Sequence, residues 1–546
     1  FRPKIEASCA HSPGCPPQVM IRALSRQKCQ GILERQISSR FLSQVSTRDP
    51  RDAVVKIFNT RQRPGWTVPW QDQPVESTSG SGALISTRIG NQPKQAVLTA
   101  AHVIADSRYL QVQRTNDRYG GEKFRAHVVA VCHEIDLALL LLEDEDVLKE
   151  MEPLPVGSAT ELPRVFDKVR VVGYPIGGEA CSVTEGVVSR VEVQEYSHSL
   201  RFGLALTVDA AINSGNSGGP LVDAFTGHVV GVAFQKMVAR GVELQGHAVP
   251  APVIQRFLDD VASAQPDAFA EGSNSSSSRT PLRLRMPSLG CDYQSLEPTA
   301  LREKLRLGSR KGILVSRLHH AGEPPALQPG DVLMTFNGHQ LDELGFSDLF
   351  GRRLHFGAAR DLCRVGSNVE LEVWRDGNVQ KVQQVLQPAQ HLVPRGQYDT
   401  RPRFFIVGGL VFQPLSNEYL QGWAANERPA HLQELFICGH TTPDRNEAVI
   451  LAQVLGDVIN AGYDSGWVGA PVVSHVNGTP VRNLAHFVEL VDAGRSGEGC
   501  LEIGVLLAGG PFRIVLPLQG LDEADQRICT IYGLPRLGSG SYQPSH

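Results

Sequence analysis

From about residue 50 onward, short apolar runs alternate with clusters of glycine, proline and polar residues. Ala53 to Phe58, Ser81 to Ile85, Val169 to Gly173, Gly186 to Val193, Leu204 to Val208 and Val229 to Phe234 each read as strand, and Val128 to Leu142 includes another, opened by Asp136. Short strands separated by turn residues predict an all-β barrel or sandwich over residues 49–263. Asn59 to Ser79 reads as a polar loop carrying Trp66 and Trp70. The period then changes. Val253, Ile254, Phe257, Leu258 and Val261 recur at helical spacing and predict a helix over about Pro252 to Ala262.

Gly272-Ser273-Asn274 and the four serines after it mark residues 264–280 as a flexible linker by composition. Residues 281–390 read as a mixed α/β unit. Lys311 to Val315 is a strand, Leu327-Gln328-Pro329-Gly330-Asp331 turns into a second strand ending at Asn337-Gly338, and Asp376-Gly377 joins a hairpin over Val369 to Leu386. Residues 391–535 repeat the theme faintly, with apolar runs at Phe404 to Phe412, Ala448 to Val458 and Val472 to Val476. Asn477-Gly478 then echoes Asn337-Gly338, and Asn483 to Ala493 reads as a helix. The Gly/Ser/Pro-rich tail, 536–546, is expected to be disordered. Phe404, Phe405 and Phe412 would make a sticky edge if left open, so they are expected either to be covered by a segment of chain or to fill this unit's own core.

A length of 546 residues suits three or four domains. Lys and Arg number 53 against 57 Asp and Glu, a balance that gives no reason to propose a nucleic-acid partner. No apolar run approaches bilayer-spanning length. The ten cysteines are scattered, with no CxxC pair and no zinc spacing, which fits a reducing compartment and implies no metal. Residues 1–48 hold eight Lys/Arg against Glu6 and Glu34. This arginine-rich amphipathic stretch reads either as part of an organelle transit peptide, mitochondrial or plastid, or as a surface helix packed on the domain that follows. The nucleus and cytosol stay open as compartments. The absence of Met at Phe1 fits a true start lying upstream.

Three stretches carry candidate chemistry. Asn213-Ser214-Gly215-Asn216-Ser217-Gly218-Gly219-Pro220 places a serine among glycines between two strands. Ser217 there is a candidate nucleophile, and the N–H groups of Gly215 and Ser217 are candidate oxyanion donors. A serine hydroxyl needs a base. Val97-Leu98-Thr99-Ala100-Ala101-His102 supplies a histidine, and Glu134-Ile135-Asp136 an aspartate opening an apolar strand. Each has a plainer reading: a glycine-serine turn, a core histidine, a strand-end cap. Together, in the order His, Asp, Ser, they point to an acyl-transfer triad.

Thr99-Ala100-Ala101-His102 and Gly215-Asn216-Ser217-Gly218-Gly219-Pro220 resemble the HtrA/Deg family of serine proteases. Val171 to Gly178, Ser182 to Arg190 and Asp209 to Asn213 extend the likeness. His247-Ala248-Val249-Pro250 departs from the family pattern and bears on fine specificity. The resemblance is closest to plant and algal members with two C-terminal PDZ-like modules. It implies a mainly β fold: a trypsin-like domain of two six-stranded barrels, followed by PDZ-like α/β modules at 281–390 and 391–535. It also implies an ATP-independent endopeptidase without cofactor, acting on unfolded or damaged proteins in quality control and assembling from trimers. In the first module Leu289-Gly290-Cys291 would match the loop that binds a peptide C-terminus, although the long Asp342 to Val365 connection also allows a closed groove. The rival function is a non-catalytic chaperone or peptide-binding scaffold whose triad rests misaligned.

Overall fold

The computed structural model describes residues 49–114, 121–178, 180–213, 215–236, 245–265, 280–319, 326–463 and 469–539. The N-terminal stretch 1–48 and the core of the linker, 266–279, lie outside the described residues.

The first apolar runs become strands β1 (Val54–Arg61), β2 (Glu76–Ile89), β3 (Gln92–Thr99), β4 (Ser107–Arg114), β5 (Lys123–Cys132) and β6 (Leu137–Leu142). They pair in the order β5-β4-β1-β2-β3-β6, and β6 returns to β5 to close a barrel. The second half contributes β7 (Lys168–Gly173), β8 (Ser182–Tyr196), β9 (Arg201–Asp209), β10 (Pro220–Asp223), β11 (Val229–Lys236) and β12 (Gln245–Pro250). These close a second barrel in the order β10-β11-β12-β9-β8-β7. Closure leaves neither barrel an open strand edge. The helix Ala251–Ser263 follows, and Val253, Ile254, Phe257, Leu258 and Val261 are all buried on its inner face. Each such burial is worth about 1.5–3 kcal/mol.

One sequence reading needs correction here. The polar loop is shorter than Asn59 to Ser79, because β1 runs on to Arg61 and β2 begins at Glu76. Asn59 remains in the strand because its amide donates to the carbonyls of Val103 and Ala105, at 2.9 and 3.2 Å. The run Val128 to Leu142 includes the strand that follows Asp136, as expected, together with the end of β5. It breaks at the short turn His133–Ile135 and folds back as the antiparallel pair β5–β6.

A short strand, β13 (Leu282–Arg283), joins the first barrel parallel to β5 and leads into the next unit. That unit is a sheet ordered Cys291–Gln294, Ile313–Leu318, Val332–Phe336, Asn368–Arg375, Asn378–Val385. The long connection folds into a hairpin, Phe346–Leu349 with Arg352–His355, and a helical turn, Gly357–Asp361. This turn docks on β9: Asp361 is fully buried and accepts from Arg201 Nη2 at 2.5 Å and from the Leu204 N–H at 3.1 Å.

The last unit is a sheet ordered Phe405–Val407, Leu410–Pro414, Val449–Val454, Val472–Val476, Cys500–Leu507, Gly510–Pro517. Its helix Leu484–Arg495 starts where the sequence places it, with the Asn483 side chain accepting from the His486 N–H. Phe404, Phe405 and Phe412 are buried inside the unit. The outer edge at Phe405 is nonetheless covered. The Ile406 N–H donates to the Leu537 carbonyl, and the Ser539 N–H to the Phe404 carbonyl, at 2.7 and 3.0 Å. Residues 537–539, expected to be disordered, are thus held by the backbone pairing that an open edge invites. Among the described residues no helix is long and apolar enough to cross a membrane.

Candidate active site

β3 ends at Thr99, whose hydroxyl donates to the Ser81 carbonyl at 2.7 Å. The chain then turns through Ala100 into the short helix Ala101–Ile104, and His102 sits on its exposed side. Three residues after His133, Asp136 caps its turn in the left-handed region, at φ 55°. Tight turns at both places aim the two side chains at each other.

Asp136 is fully buried and grips one residue with both oxygens. Oδ1 accepts from the His102 backbone N–H at 2.8 Å, and Oδ2 meets His102 Nδ1 at 2.7 Å. This pairing assigns the Nδ1 proton to the bond with Asp136 and leaves Nε2 as the free acceptor. Burial pushes the Asp136 carboxyl up, but the charge and hydrogen bonds of His102 outweigh it, so it is held below its ordinary value. Burial likewise pulls His102 down, and the charge and hydrogen bond of Asp136 turn the net shift upward.

Ser217 lies on the turn between β9 and β10, in the second barrel. Gly215 has φ 100°, and a side chain there would meet the Tyr174 carbonyl at 2.3 Å, so only glycine fits. Among the described residues, neither the Gly215 nor the Ser217 N–H is spent on a backbone carbonyl, while Asn216, Gly218 and Gly219 donate to Asn213, Ala233 and Asn216. Uncommitted backbone donors on the turn that carries a serine hydroxyl are what an oxyanion needs. The hydrogen bonds of His102 run to Asp136, and none joins His102 to Ser217 among the described residues. Ser214 lies outside the described residues.

One residue that holds the site together had no distinctive signal. Ser81, fully buried on β2 of the first barrel, staples the Ser217 turn of the second. Its Oγ donates to the Gly215 carbonyl at 2.7 Å and accepts from the Tyr174 N–H at 2.8 Å, and its N–H donates to the Ser217 carbonyl at 2.9 Å. Ser-Gly within a strand carries no sequence signal of its own, and only the tertiary contact makes this serine special.

The Leu289-Gly290-Cys291 loop is not part of this cluster. Leu289 is buried. The Gly290 N–H meets Ser288 Oγ at 3.1 Å, its carbonyl accepts from the His319 N–H at 2.7 Å, and Cys291 opens the edge strand of the first module. That strand faces a cavity of about 310 Å³ lined by Tyr293, His355, Gly357 and Arg360, with Val191, Val193 and Phe202 of the second barrel closing the far side. His247, the departure on β12, is buried with Nδ1 3.2 Å from Thr207 Oγ1.

Comparison with known proteins places these features. A trypsin-like peptidase domain family matches residues 80–232, and a PDZ domain family matches residues 393–540. The chloroplastic "Protease Do-like 2" of Arabidopsis thaliana is 34% identical over 443 residues, covering 81% of this chain and 68% of that protein. The mitochondrial "Protease Do-like 4" of the same plant is 31% identical over 496 residues, covering 90% and 86%. Among solved structures, an HtrA-type protease, AlgW with a decapeptide, aligns over 64% of this chain and 98% of its own, with 21% identity and a TM-score of 0.43.

Proposed function

The chain belongs to the HtrA/Deg family of serine proteases, and from that premise we propose that it is an active, ATP-independent endopeptidase using Ser217, His102 and Asp136. The observation that carries this reading is the double grip of Asp136 on His102, at 2.8 and 2.7 Å, which leaves Nε2 free. Ser217 Oγ attacks the peptide carbonyl while Nε2 of His102 takes its proton. The Gly215 and Ser217 N–H groups receive the oxyanion. The tetrahedral intermediate collapses as His102 returns the proton to the leaving amine, and water then repeats the sequence on the acyl-enzyme. Burial keeps the Asp136 charge close to the imidazolium that forms.

Unfolded or damaged proteins are the proposed substrates, in protein quality control. An organelle is the proposed location, in keeping with the chloroplastic and mitochondrial names of two relatives. Assembly from trimers, with the second PDZ module contributing to it, belongs to the same reading, as does capture of peptide ends at Leu289-Gly290-Cys291. One observation keeps the chaperone alternative in view: His102 and Ser217 share no hydrogen bond among the described residues. Catalytic hydrogen bonds often tighten only around substrate. A casein-cleavage assay beside a heat-aggregation assay separates the two. The wild type is expected to cleave and Ser217→Ala to be inert. Suppressed aggregation with no cleavage by the wild type would establish the scaffold instead.

A further inference from the structure

Behind the His102–Asp136 pair lies a second set of side chains that the proposed chemistry does not use. His198, in the turn between β8 and β9, is buried, and its ring centre lies 6.1 Å from that of His102. Its Nε2 is 2.9 Å from Nδ1 of His133, three residues before Asp136. Nε2 of His133 is 3.0 Å from Oδ2 of Asp399. The other oxygen of Asp399 accepts from the Asp106 N–H at 2.6 Å, and the Asp399 N–H returns a bond to Asp106 Oδ1 at 2.8 Å. One carboxylate therefore ties together the chain just after His102 and the chain just before Asp136. Its neighbour Tyr398 stacks on His198, ring centres 3.9 Å apart, and donates its hydroxyl proton to the His198 carbonyl at 2.7 Å.

Tyr398 and Asp399 do not come from the protease domain. They lie in the leading segment of the second PDZ-like module. The same segment bonds to that module: the Asn417 N–H donates to the Pro394 carbonyl at 3.0 Å, and the Gln397 N–H to Glu418 at 2.8 Å.

Resting on the proposed protease reading, we infer that Tyr398 and Asp399 are positioning residues, through which the second module's leading segment holds His102 and Asp136 in register. The hydrogen-bond directions follow from the carboxylate. Asp399 can only accept, so His133 must donate from Nε2, which in the neutral ring leaves Nδ1 bare. His198 must then donate from its own Nε2. Burial holds His198 neutral, down to about 3. An asparagine at 399 has one acceptor oxygen for two donors. Either the Asp106 N–H loses its partner, or the amide NH2 faces His133 and both imidazoles must exchange tautomers.

The test uses the full chain and an internally quenched peptide substrate. Asp399→Asn is expected to lower kcat on the order of tenfold to a hundredfold, the scale of small misplacement at a reacting centre, with KM unchanged. Labelling of Ser217 by a serine-directed phosphonate should slow in parallel. At position 398, kcat is expected to fall in the order Tyr, Phe, Ala at constant KM, because Phe keeps the stack and loses only the bond to the His198 carbonyl. This series carries the test if Asp399→Asn does not fold. A kcat within about twofold of wild type in the folded variants overturns the inference, as does a change confined to KM. A wild type that neither cleaves nor labels overturns the reading of the triad itself, a result distinct from either.

Discussion

Replacing Asp136 by asparagine tests the electrostatics of the site with almost no change of shape. Its two oxygens accept from two groups of the same residue, the His102 backbone N–H and Nδ1–H. An amide offers one acceptor. If its oxygen keeps the backbone N–H, the NH2 faces Nδ1. Nδ1 must then become the acceptor and the imidazole proton moves to Nε2, the atom proposed to take the proton of Ser217. If the amide flips, the backbone N–H loses its partner and the NH2 meets an N–H. Leaving a buried donor unpaired costs about 1–3 kcal/mol, so the first orientation is preferred. The wrong tautomer should lower kcat by about 10⁴-fold, close to 5.5 kcal/mol of transition-state stabilisation. The assay is kcat on a peptide substrate, with a thermal melt to show that the fold survives. A folded Asp136→Asn within about tenfold of wild type would refute the role given to Asp136.

Three further outcomes are expected. Because the pKa of His102 is raised, and only neutral imidazole accepts the serine proton, kcat/KM should fall with decreasing pH, with a midpoint above the ordinary histidine value of 6.5. A rate flat down to about pH 5 would argue against His102 as the base. Asp361→Ala strands Arg201 and the Leu204 N–H at the joint between the second barrel and the first PDZ-like module. Denaturant unfolding should show a loss of about 3–5 kcal/mol, and a loss under about 1 kcal/mol would contradict the assigned importance of this joint. Deleting residues 404–546 should give a smaller assembly by light scattering that still cleaves unfolded protein, whereas deletion from 391 also removes Tyr398 and Asp399 and should cost cleavage. An undiminished subunit count with weakened substrate affinity would make the second module a substrate receptor.

Much of this site could be read locally. A serine among glycines, a histidine just past a strand end and an aspartate opening a strand each carry their signal within a few residues, because tight turns demand particular neighbours. The helix capped by Asn483 is legible for the same reason. What escaped depends on contacts distant in sequence. Asn59 reads as loop until its amide finds the carbonyls of Val103 and Ala105. Ser81 is an ordinary strand serine until it reaches the carbonyl of Gly215, 134 residues away. Leu537 to Ser539 lie in a segment whose composition says disorder, yet the open edge at Phe405 supplies backbone partners. Tyr398 and Asp399 carry no motif at all, and only the packing of a distant module against both barrels brings them to His198 and His133.

Ser217 is proposed as the nucleophile and His102 as its base. This assignment is tested most directly by treating the full-length protein with a fluorophosphonate and locating the adduct by peptide mass spectrometry. One modified residue is expected, Ser217, with labelling that slows as pH falls through the titration of His102 and is absent in Ser217→Ala. An adduct on another serine, or proteolysis that persists in purified Ser217→Ala, would contradict it.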